Sequence, residues 1–179
     1  MNAIELNHQC TYATPDELIW LRGQAGQLPN SANAVMIGAG PGVMAVALLE
    51  GNPNIALTVI DKVSTQYVRV HISQMQLPIA NVCYIEDDSA DYGNQWHEKL
   101  DFLIVDGDHT YEGVKRDLDA WLPHMKPNSL VFLHDYDADG TCFAGVERYP
   151  GVKQAIEECS AHWEEWARVG TAIVMKVLE

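Results

Sequence analysis

The sequence predicts an α/β fold, a doubly wound and mostly parallel sheet with a C-terminal antiparallel strand. Two observations indicate this fold. From residue 33 onward, apolar runs of strand length alternate with helical stretches. Four of the five runs are rich in β-branched residues, and their continuous apolarity is typical of strands buried on both faces. Repeated strand–helix–strand units form parallel strands joined by right-handed crossovers.

The individual elements can be placed from the same alternation. The predicted strands are Ala34–Ile37, Ala56–Ile60, Val82–Ile85, Phe102–Val105 and Leu130–Leu133. The predicted helices between them are Gly42–Leu49, Val63–Gln76, Ser89–Lys99 and Tyr111–His124. We expect a last helix over Val152–Trp166, and then a hairpin of 167–169 and 171–178 around Gly170, with its final strand inserted into the sheet.

The first thirty residues are polar and broken by proline and glycine. Within them, the run Thr14-Pro15-Asp16-Glu17 predicts a helix start, because Thr14 can cap, Pro15 suits the first turn and Glu17 completes a capping box. This short helix should end near Gly23. We therefore expect an N-terminal helical segment, residues 1–30, lying over a single domain, residues 31–179.

Composition excludes several classes of protein. The 179 residues carry 11 Lys+Arg against 25 Asp+Glu, a formal net charge of −14, which argues against nucleic acid or an anionic membrane surface as partner. No apolar run is long enough for a membrane helix, and the N-terminal stretch does not look like a secretory signal. Four cysteines without a CxxC pair fit reduced thiols, so we expect a cytoplasmic protein.

A glycine-rich turn follows the first predicted strand, at Gly38-Ala39-Gly40-Pro41-Gly42. In open parallel sheets ligands bind beyond the carboxyl ends of the strands, and glycines there let the backbone approach a ligand closely. Val43 stands where a dinucleotide site would have another glycine, which disfavours a nicotinamide-dependent oxidoreductase. The GxGxG spacing suits S-adenosylmethionine better, although such a turn can also be purely structural.

Acidic residues follow the second and third predicted strands. Asp61 lies 19 residues after Gly42, near the distance expected for an acid that binds ribose hydroxyls. Asp88, followed by Ser89, is placed to accept a hydrogen bond from an adenine amino group, but either residue could instead cap the next helix. Lys62, beside Asp61, is a further candidate for cofactor binding.

Ionisable residues gather after the fourth and fifth predicted strands. This group comprises Asp106, Asp108, His109, His134 and Asp135. Such a group requires shifted pKa values or a balancing cation: oxygen ligands favour Mg²⁺, Ca²⁺ or Mn²⁺, while imidazoles also admit a softer metal. Each acid could alternatively cap a helix. An EF-hand beginning at Asp135 is disfavoured, since Val146 occupies the twelfth position, which requires Glu.

The run from Asp101 to Tyr136, DFLIVDGDHTYEGVKRDLDAWLPHMKPNSLVFLHDY, resembles the class I S-adenosylmethionine-dependent methyltransferases. It is most similar to the small-molecule O-methyltransferases that include macrolide-sugar, rhamnosyl and cephalosporin-tailoring enzymes. With the glycine turn, Asp61 and the segments GVKQAIEE and VGTAIVMKV, the resemblance spans about residues 33 to 178. It implies the Rossmann-like methyltransferase fold.

The resemblance also implies roles for residues. Gly38, Gly40 and Gly42 would hold the methionine end of the cofactor, Asp61 the ribose, and Asp88 and Ser89 the adenine, with Ala39 and Lys62 as further cofactor-binding candidates. Asp106, His134 and Asp135 match the metal ligands of metal-dependent relatives, and Asp106 is also a cofactor candidate. Asp108 or His109 would then be the general base. Two departures stand out: Met36 replaces an acid that meets the methionine amino group, and His134 replaces a carboxylate.

These observations lead to a functional hypothesis. The protein would transfer a methyl group from S-adenosylmethionine to a hydroxyl of a small molecule, with or without help from Mg²⁺ or another divalent metal. A catalytically weak or inactive nucleoside-binding relative is the main alternative. The loop 137–150 would line the acceptor pocket, and similar enzymes suggest a homodimer.

Overall fold

The structure of the protein is a computed structural model that describes residues 2–10, 13–78, 80–137 and 149–179. Its strands are β1 (Asn33–Ile37), β2 (Ala56–Ile60), β3 (Val82–Ile85), β4 (Leu100–Val105), β5 (Met125–Leu133), β6 (Trp163–Val169) and β7 (Ala172–Val177). Its helices are α1 (Ala3–Cys10), α2 (Pro15–Ala25), α3 (Val43–Gly51), α4 (Gln66–Gln74), α5 (Ser89–Gly93), α6 (Tyr111–Trp121) and α7 (Pro150–Glu157), with a 3₁₀ turn at Leu122–His124.

The strands form one seven-stranded sheet in the order β3-β2-β1-β4-β5-β7-β6. The five strands from β1 to β5 are parallel, whereas β7 is antiparallel to both β5 and β6. The predicted fold class is therefore confirmed, including the insertion of the last strand into the sheet.

Side chains alternate between two cores along the central strands. On β1, Ala34 and Met36 pack with α1 to α4, while Val35 and Ile37 pack with α5, α6 and α7 on the other face. All four residues are at most 2% exposed. Burial on both faces explains why the strands read as continuous apolar runs rather than as alternating ones.

The C-terminal region corrects one predicted element. The helix expected over Val152–Trp166 is wrong in its second half, because α7 ends at Glu157 and Trp163 begins β6. This segment pairs with β7 from Trp163↔Val177 to Val169↔Ala172, so strand pairing prevails over the helical spacing of its two tryptophans. Trp166 consequently lies on an edge strand, half exposed, with Lys176 over its ring.

Several further elements differ from the prediction. Strand β5 begins at Met125 rather than at Leu130, and α4 covers only Gln66–Gln74 of the predicted Val63–Gln76. Helix α5 ends at Gly93, well before the predicted end at Lys99. A Cβ at Gly93 would meet the Trp121 indole at less than 3 Å. Helix α1 was not predicted at all. The capping box at Thr14 and Glu17 is confirmed, although α2 continues to Ala25 rather than ending near Gly23.

The N-terminal helices contribute to the main core. Leu6 of α1 and Leu18 and Leu21 of α2 are at most 1% exposed and share a cluster with β1 and α3. The division at residue 30 stays a prediction. Across the part of the chain that the structure describes, none of the helices has the length and apolar character required to cross a bilayer.

Candidate functional site

The candidate site lies at the carboxyl edge of the sheet. Strands β1, β2, β4 and β5 run parallel, so the segments that follow them emerge at the same edge. The chain order reverses between β1, which leads outward to β2, and β4, which leads outward to β5. Ligands of doubly wound sheets bind at such a reversal.

The glycine turn after β1 has a left-handed backbone at Gly38, Gly40 and Gly42, with φ of +83°, +45° and +83°. A Cβ at Gly38 would overlap the backbone carbonyl of Asp106, and one at Gly42 would overlap the Val68 side chain. A Cβ at Gly40 would meet no described atom within 4 Å. Two of these glycines are therefore required by packing, whereas Gly40 has open space on the side where a Cβ would lie.

Asp61 binds the glycine turn directly. Its Oδ2 accepts the amide of Ala39 at 2.8 Å, and its Oδ1 accepts the amides of Val63 at 2.7 Å and Ser64 at 3.1 Å. A carboxylate offers about four lone-pair sites, so three amide contacts leave room for a further donor. The structure thus brings together two of the predicted cofactor-binding features.

Asp88 is the N-cap of α5, where its Oδ1 accepts the amides of Ala90 and Asp91 at 3.1 Å. The capping alternative considered for this residue is therefore present. Asp88 also binds two cations, with Lys62 Nζ at 3.3 Å and Arg116 at 3.1 Å. Burial would raise the pKa of its carboxyl, but the Asp91 amide together with these two cations holds it below the usual range. Lys62 is close to the site but contacts Asp88 rather than Asp61.

Ser89 directs its hydroxyl inward to Asp117, a buried acid of α6 that sequence reasoning missed. Burial raises the pKa of Asp117 to about 6, and the charge of Asp88 adds to this effect while the Ser89 hydrogen bond opposes it. Asp117 lies in the segment that carries the family resemblance, and its spacing of three residues from Val114 and four from Trp121 places it on the buried face of α6, a signal that the sequence analysis did not use.

The ionisable residues after β4 and β5 form one cluster. His134 Nδ1 lies 3.0 Å from Asp106 Oδ1 and 3.4 Å from Asp135 Oδ2. His109 Nε2 lies 3.1 Å from Asp135 Oδ2 and 3.5 Å from Asp106 Oδ1, and its ring stacks on Tyr149 with the centroids 4.3 Å apart. The structure therefore brings together four of the five predicted residues.

Charge within this cluster is balanced between acids and imidazoles. Burial alone would lower the pKa of His109, but Asp106 and Asp135 outweigh burial and raise it to about 9. The pKa of His134 is raised for the same reason, and those of Asp106 and Asp135 are lowered by the two imidazoles against burial. Asp135 also has a left-handed backbone, φ +57°, a conformation that non-glycine residues adopt mainly where surrounding structure imposes it.

The fifth residue, Asp108, is outside the cluster. It is exposed, and its Oδ1 accepts the amide of Thr110 at 2.8 Å, which closes the turn before α6. Of the two general-base candidates, only His109 lies beside Asp106 and Asp135.

Glu17 contacts the cluster through His134, although the sequence suggested only a capping role for it. Its carboxylate is fully buried and lies 3.4 Å from His134 Nε2. The same carboxylate accepts the amides of Thr14 at 2.6 Å and Thr171 at 2.7 Å. A contact between residues 117 positions apart leaves no local sequence signal.

The residues present fit both groups that the sequence implies. Asp106, His134 and Asp135 each place a ligand atom within 4.8 Å of the others, a spacing that could hold a metal ion. His109 Nε2 is buried beside them and has no hydrogen-bond partner among the described residues. For the cofactor, the open backbone at Gly40 and the Asp61 carboxylate beside it supply a close-approach surface and an acceptor.

Two predicted features lie outside the described residues. Positions 138–148 contain Asp139, Gly140 and Val146 of the disfavoured EF-hand alternative. They also make up nearly all of the loop 137–150, which was expected to line the acceptor pocket.

Comparison with solved structures shows the same fold in several proteins. The chain aligns over 99% of its length with 88% of a protein from Corynebacterium glutamicum, at a TM-score of 0.76 and 18% identity. It aligns over 99% of its length with 89% of an O-methyltransferase from Bacillus cereus in complex with SAH, at a TM-score of 0.70 and 14% identity. It aligns over 99% of its length with 87% of an SAH-bound methyltransferase from Podospora anserina, at a TM-score of 0.76 and 12% identity.

Sequence comparison adds one curated relative and one family. A stretch of 57 residues, 32% of the chain, is 47% identical to an uncharacterized protein of Sinorhizobium fredii, of which it covers only 6%. A family described as a methyltransferase domain matches residues 35–136, more than half of the chain and the part that contains the glycine turn, Asp61 and the Asp106–Asp135 cluster. The chain therefore belongs to the methyltransferase domain family.

Proposed function

We propose that the protein transfers a methyl group from S-adenosylmethionine to a hydroxyl of a small molecule. The observation that carries this proposal is the position of His109, whose buried Nε2 lies 3.1 Å from Asp135 and 3.5 Å from Asp106 at the carboxyl edge of the sheet. A hydroxyl becomes a good nucleophile only as it loses its proton, whereas a neutral amine is nucleophilic before it loses one. A buried imidazole at the ligand-binding edge of the sheet supplies the base that a hydroxyl requires.

The cofactor supplies a methyl group on a positively charged sulfur. We propose that the turn from Gly38 to Gly42 binds the methionine end of the cofactor and that Asp61 binds its ribose hydroxyls. Asp88 and Ser89 would bind the adenine. The chemistry asks the protein mainly to hold the acceptor oxygen in line with the methyl group. The net charge of −14 favours a cationic ligand over an anionic one.

His109 is the proposed general base. Nε2 would hold the proton that the acceptor hydroxyl loses, and Asp106 and Asp135 would stabilise the resulting imidazolium, since both lie within 3.5 Å of that atom. Stacking on Tyr149 fixes the plane of the ring. Asp108 is less suited to this role because its carboxylate closes the turn at Thr110.

Metal assistance is a separate part of the proposal. Asp106, His134 and Asp135 would hold a divalent cation such as Mg²⁺, with His109 beside it. Such a cation supplies Lewis acidity to a hydroxyl. A homodimer stays a prediction, which light scattering of the purified protein would check.

One observation favours a second candidate, a nucleoside-binding protein without catalysis. Met36 takes the position at which similar enzymes carry an acid, and it is 1% exposed within the core, where it cannot replace that acid's contact with a cofactor amino group. The two candidates differ in their products rather than in their ligands.

The experiment is a calorimetric titration with S-adenosylhomocysteine, followed by incubation with methyl-labelled S-adenosylmethionine and a panel of phenols, sugars and amines. The proposal expects binding and label transfer to a hydroxyl compound, with transfer lost in His109→Gln while binding persists. Binding without transfer to any compound would favour the second candidate. No binding at millimolar ligand would contradict both.

A further inference from the structure

Glu17 is a fully buried carboxylate that belongs to no motif of the family match, which begins at residue 35. It lies in the first turn of α2 and contacts three separate parts of the chain. Oε1 accepts the amide and the hydroxyl of Thr171 at 2.7 and 3.0 Å, and Oε2 accepts the amide of Thr14 at 2.6 Å. Its remaining contact is His134 Nε2, 3.4 Å from Oε2.

The contact with His134 orients that imidazole. The ring is 5% exposed and packs nearly parallel to Phe132, at an interplanar angle of 20°. Nε2 points to Glu17, and Nδ1 points to the opposite side, 3.0 Å from Asp106 and 3.4 Å from Asp135. Nδ1 therefore faces the two acids of the candidate metal centre, Asp106 and Asp135, whereas Nε2 faces Glu17, which lies outside that centre.

This arrangement has a known chemical use. A metal-binding histidine generally donates its second ring N–H to a carboxylate, which fixes the tautomer and makes the ligating nitrogen more basic. When a cation replaces the proton on Nδ1 between Asp106 and Asp135, the Glu17 carboxylate would keep the other proton on Nε2, so that the lone pair of Nδ1 is available to the cation.

We propose that Glu17 is a positioning residue of the metal centre, which holds His134 with Nδ1 available as a ligand. The inference rests on the metal-binding part of the proposed function and adds to it a residue from the N-terminal helix. An imidazole in the ligand set also widens the accepted ions to transition metals, so Co²⁺ is a suitable probe.

A purely structural role must be separated from this one. Glu17 also completes the capping box of α2 and holds the turn between β6 and β7 through Thr171. Its loss would therefore lower stability in either case. Glu17→Gln is informative because its amide would donate to Nε2, which favours the opposite tautomer and turns the Nδ1 proton toward the two acids.

The matched control is Thr14→Ala. Thr14 Oγ1 accepts the Glu17 amide at 3.3 Å, so its removal weakens the cap of α2 while leaving the contact between Glu17 and His134 in place. Both variants should unfold more easily than the wild type, and only Glu17→Gln should affect His134.

The experiment measures Co²⁺ binding to the full chain by calorimetry and by visible absorption. We expect Glu17→Gln to bind Co²⁺ about 10- to 100-fold more weakly than the wild type, and Thr14→Ala to bind within twofold of it. Equal affinity of Glu17→Gln and wild type would overturn the inference while leaving the metal centre intact. Failure of the wild type to bind Co²⁺ would overturn metal assistance as well, and retained S-adenosylhomocysteine binding would show that the cofactor site stands. If Glu17→Gln does not fold, Glu17→Asp, whose shorter side chain withdraws the carboxylate from His134, is judged by the same criterion.

Discussion

The Asp61 carboxylate accepts a hydrogen bond from the Ala39 amide at 2.8 Å, which joins the acid after β2 to the glycine turn after β1. The contact spans 22 positions of sequence and fixes the distance between two parts of the proposed cofactor site. Because Asp61 is also held by the amides of Val63 and Ser64, its carboxylate is oriented before any ligand arrives. Preorganisation of this kind lowers the entropic cost of binding.

The first prediction concerns Asp61. Asp61→Asn replaces a hydrogen bond to a charged acceptor, which contributes about 1.5–3 kcal/mol, by a neutral one that contributes about 0.5–1.5 kcal/mol, so S-adenosylhomocysteine should bind roughly tenfold more weakly. Calorimetry gives the affinity. Asp101→Asn is the control, because Asp101 lies near the start of β4, away from the ligand edge, and binds Lys126 there. A loss of less than twofold for Asp61→Asn would remove this residue from the site.

The second prediction separates two glycines of the same turn. Gly40→Ala places a Cβ in open space, so it should cost only about 1–2 kcal/mol of stability for its left-handed backbone. It should nevertheless weaken S-adenosylhomocysteine binding, because the Cβ occupies space that the ligand would use. Gly38→Ala should instead destabilise the fold by more than about 3 kcal/mol, since its Cβ would overlap the Asp106 carbonyl. Urea unfolding and calorimetry test the pair, and unchanged ligand affinity in Gly40→Ala would contradict the prediction.

The third prediction concerns the pH dependence of stability at Asp117. Its pKa is about 6 in the folded chain against a usual value of 3.8, so the folded state holds this proton more tightly. Stability is therefore higher at low pH and is lost as the pH rises from about 4 to about 6. Asp117→Asn removes the buried charge and should stabilise the protein at pH 8 by on the order of 1–2 kcal/mol.

Urea unfolding at pH 5 and pH 8 checks this expectation. The difference between wild type and Asp117→Asn should shrink at pH 5, where Asp117 is largely protonated. Asp119→Asn, on the same helix but exposed, should show little pH-dependent difference, because its ion pair with Lys115 is a surface contact. If the wild type were as stable as Asp117→Asn at pH 8, burial of the Asp117 carboxylate would not lower the free energy of unfolding, and the prediction would be wrong.

The fourth prediction concerns His109 as the base. His109→Gln cannot accept a proton and should lower methyl transfer by about 10²- to 10⁴-fold. Binding of S-adenosylhomocysteine should change little, since His109 is no part of the proposed cofactor contacts. Asp108→Asn is the matched control and should retain most of the activity, provided that the turn at Thr110 is kept. If both variants lost methyl transfer to the same extent, the assignment of His109 as the base would be contradicted.

The fifth prediction follows from the raised pKa of His109, about 9. Only neutral imidazole accepts a proton, so without added metal the rate of methyl transfer should rise with pH until about pH 9. A divalent cation at Asp106 and Asp135 would neutralise the charges that hold the proton on His109, and should move the inflection to lower pH. EDTA should reverse the shift. A profile that is flat between pH 6 and pH 9 without metal would contradict this prediction.

Much of the fold was predictable because its signals are local. Strands β1, β2 and β4 and the second half of β5 are mostly apolar runs buried on both faces, which is typical of central parallel strands. The first half of β5, from Met125 to Ser129, is mostly polar and was not predicted. The hairpin around Gly170 was predictable in part, whereas the start of β6 at Trp163 was not. That segment contains good helix-forming residues, and its strand conformation depends on pairing with β7.

The candidate site was predictable to the extent that strand ends meet at one edge. Asp61, Asp106 and Asp135 were identified by this argument, and the structure places Asp61 at the glycine turn and the other two together in the cluster. Asp117 and Glu17 were missed as site residues because their importance comes from burial and from contacts across the fold. The difference between Asp108 and His109 was equally hidden, since neighbouring residues after a strand can face a turn or a cluster.

The bond from Thr171 to Glu17 has a consequence for how this protein can be divided. A fragment cut to the bounds of the family match, 35–136, would retain every ligand of the cluster and look complete by alignment. It would nevertheless expose the flank of β5 that β7 covers and would strip His134 of its underlying acid. We therefore expect that a fragment must be considerably longer than the family match, 35–136, to fold and to keep the site residues in position.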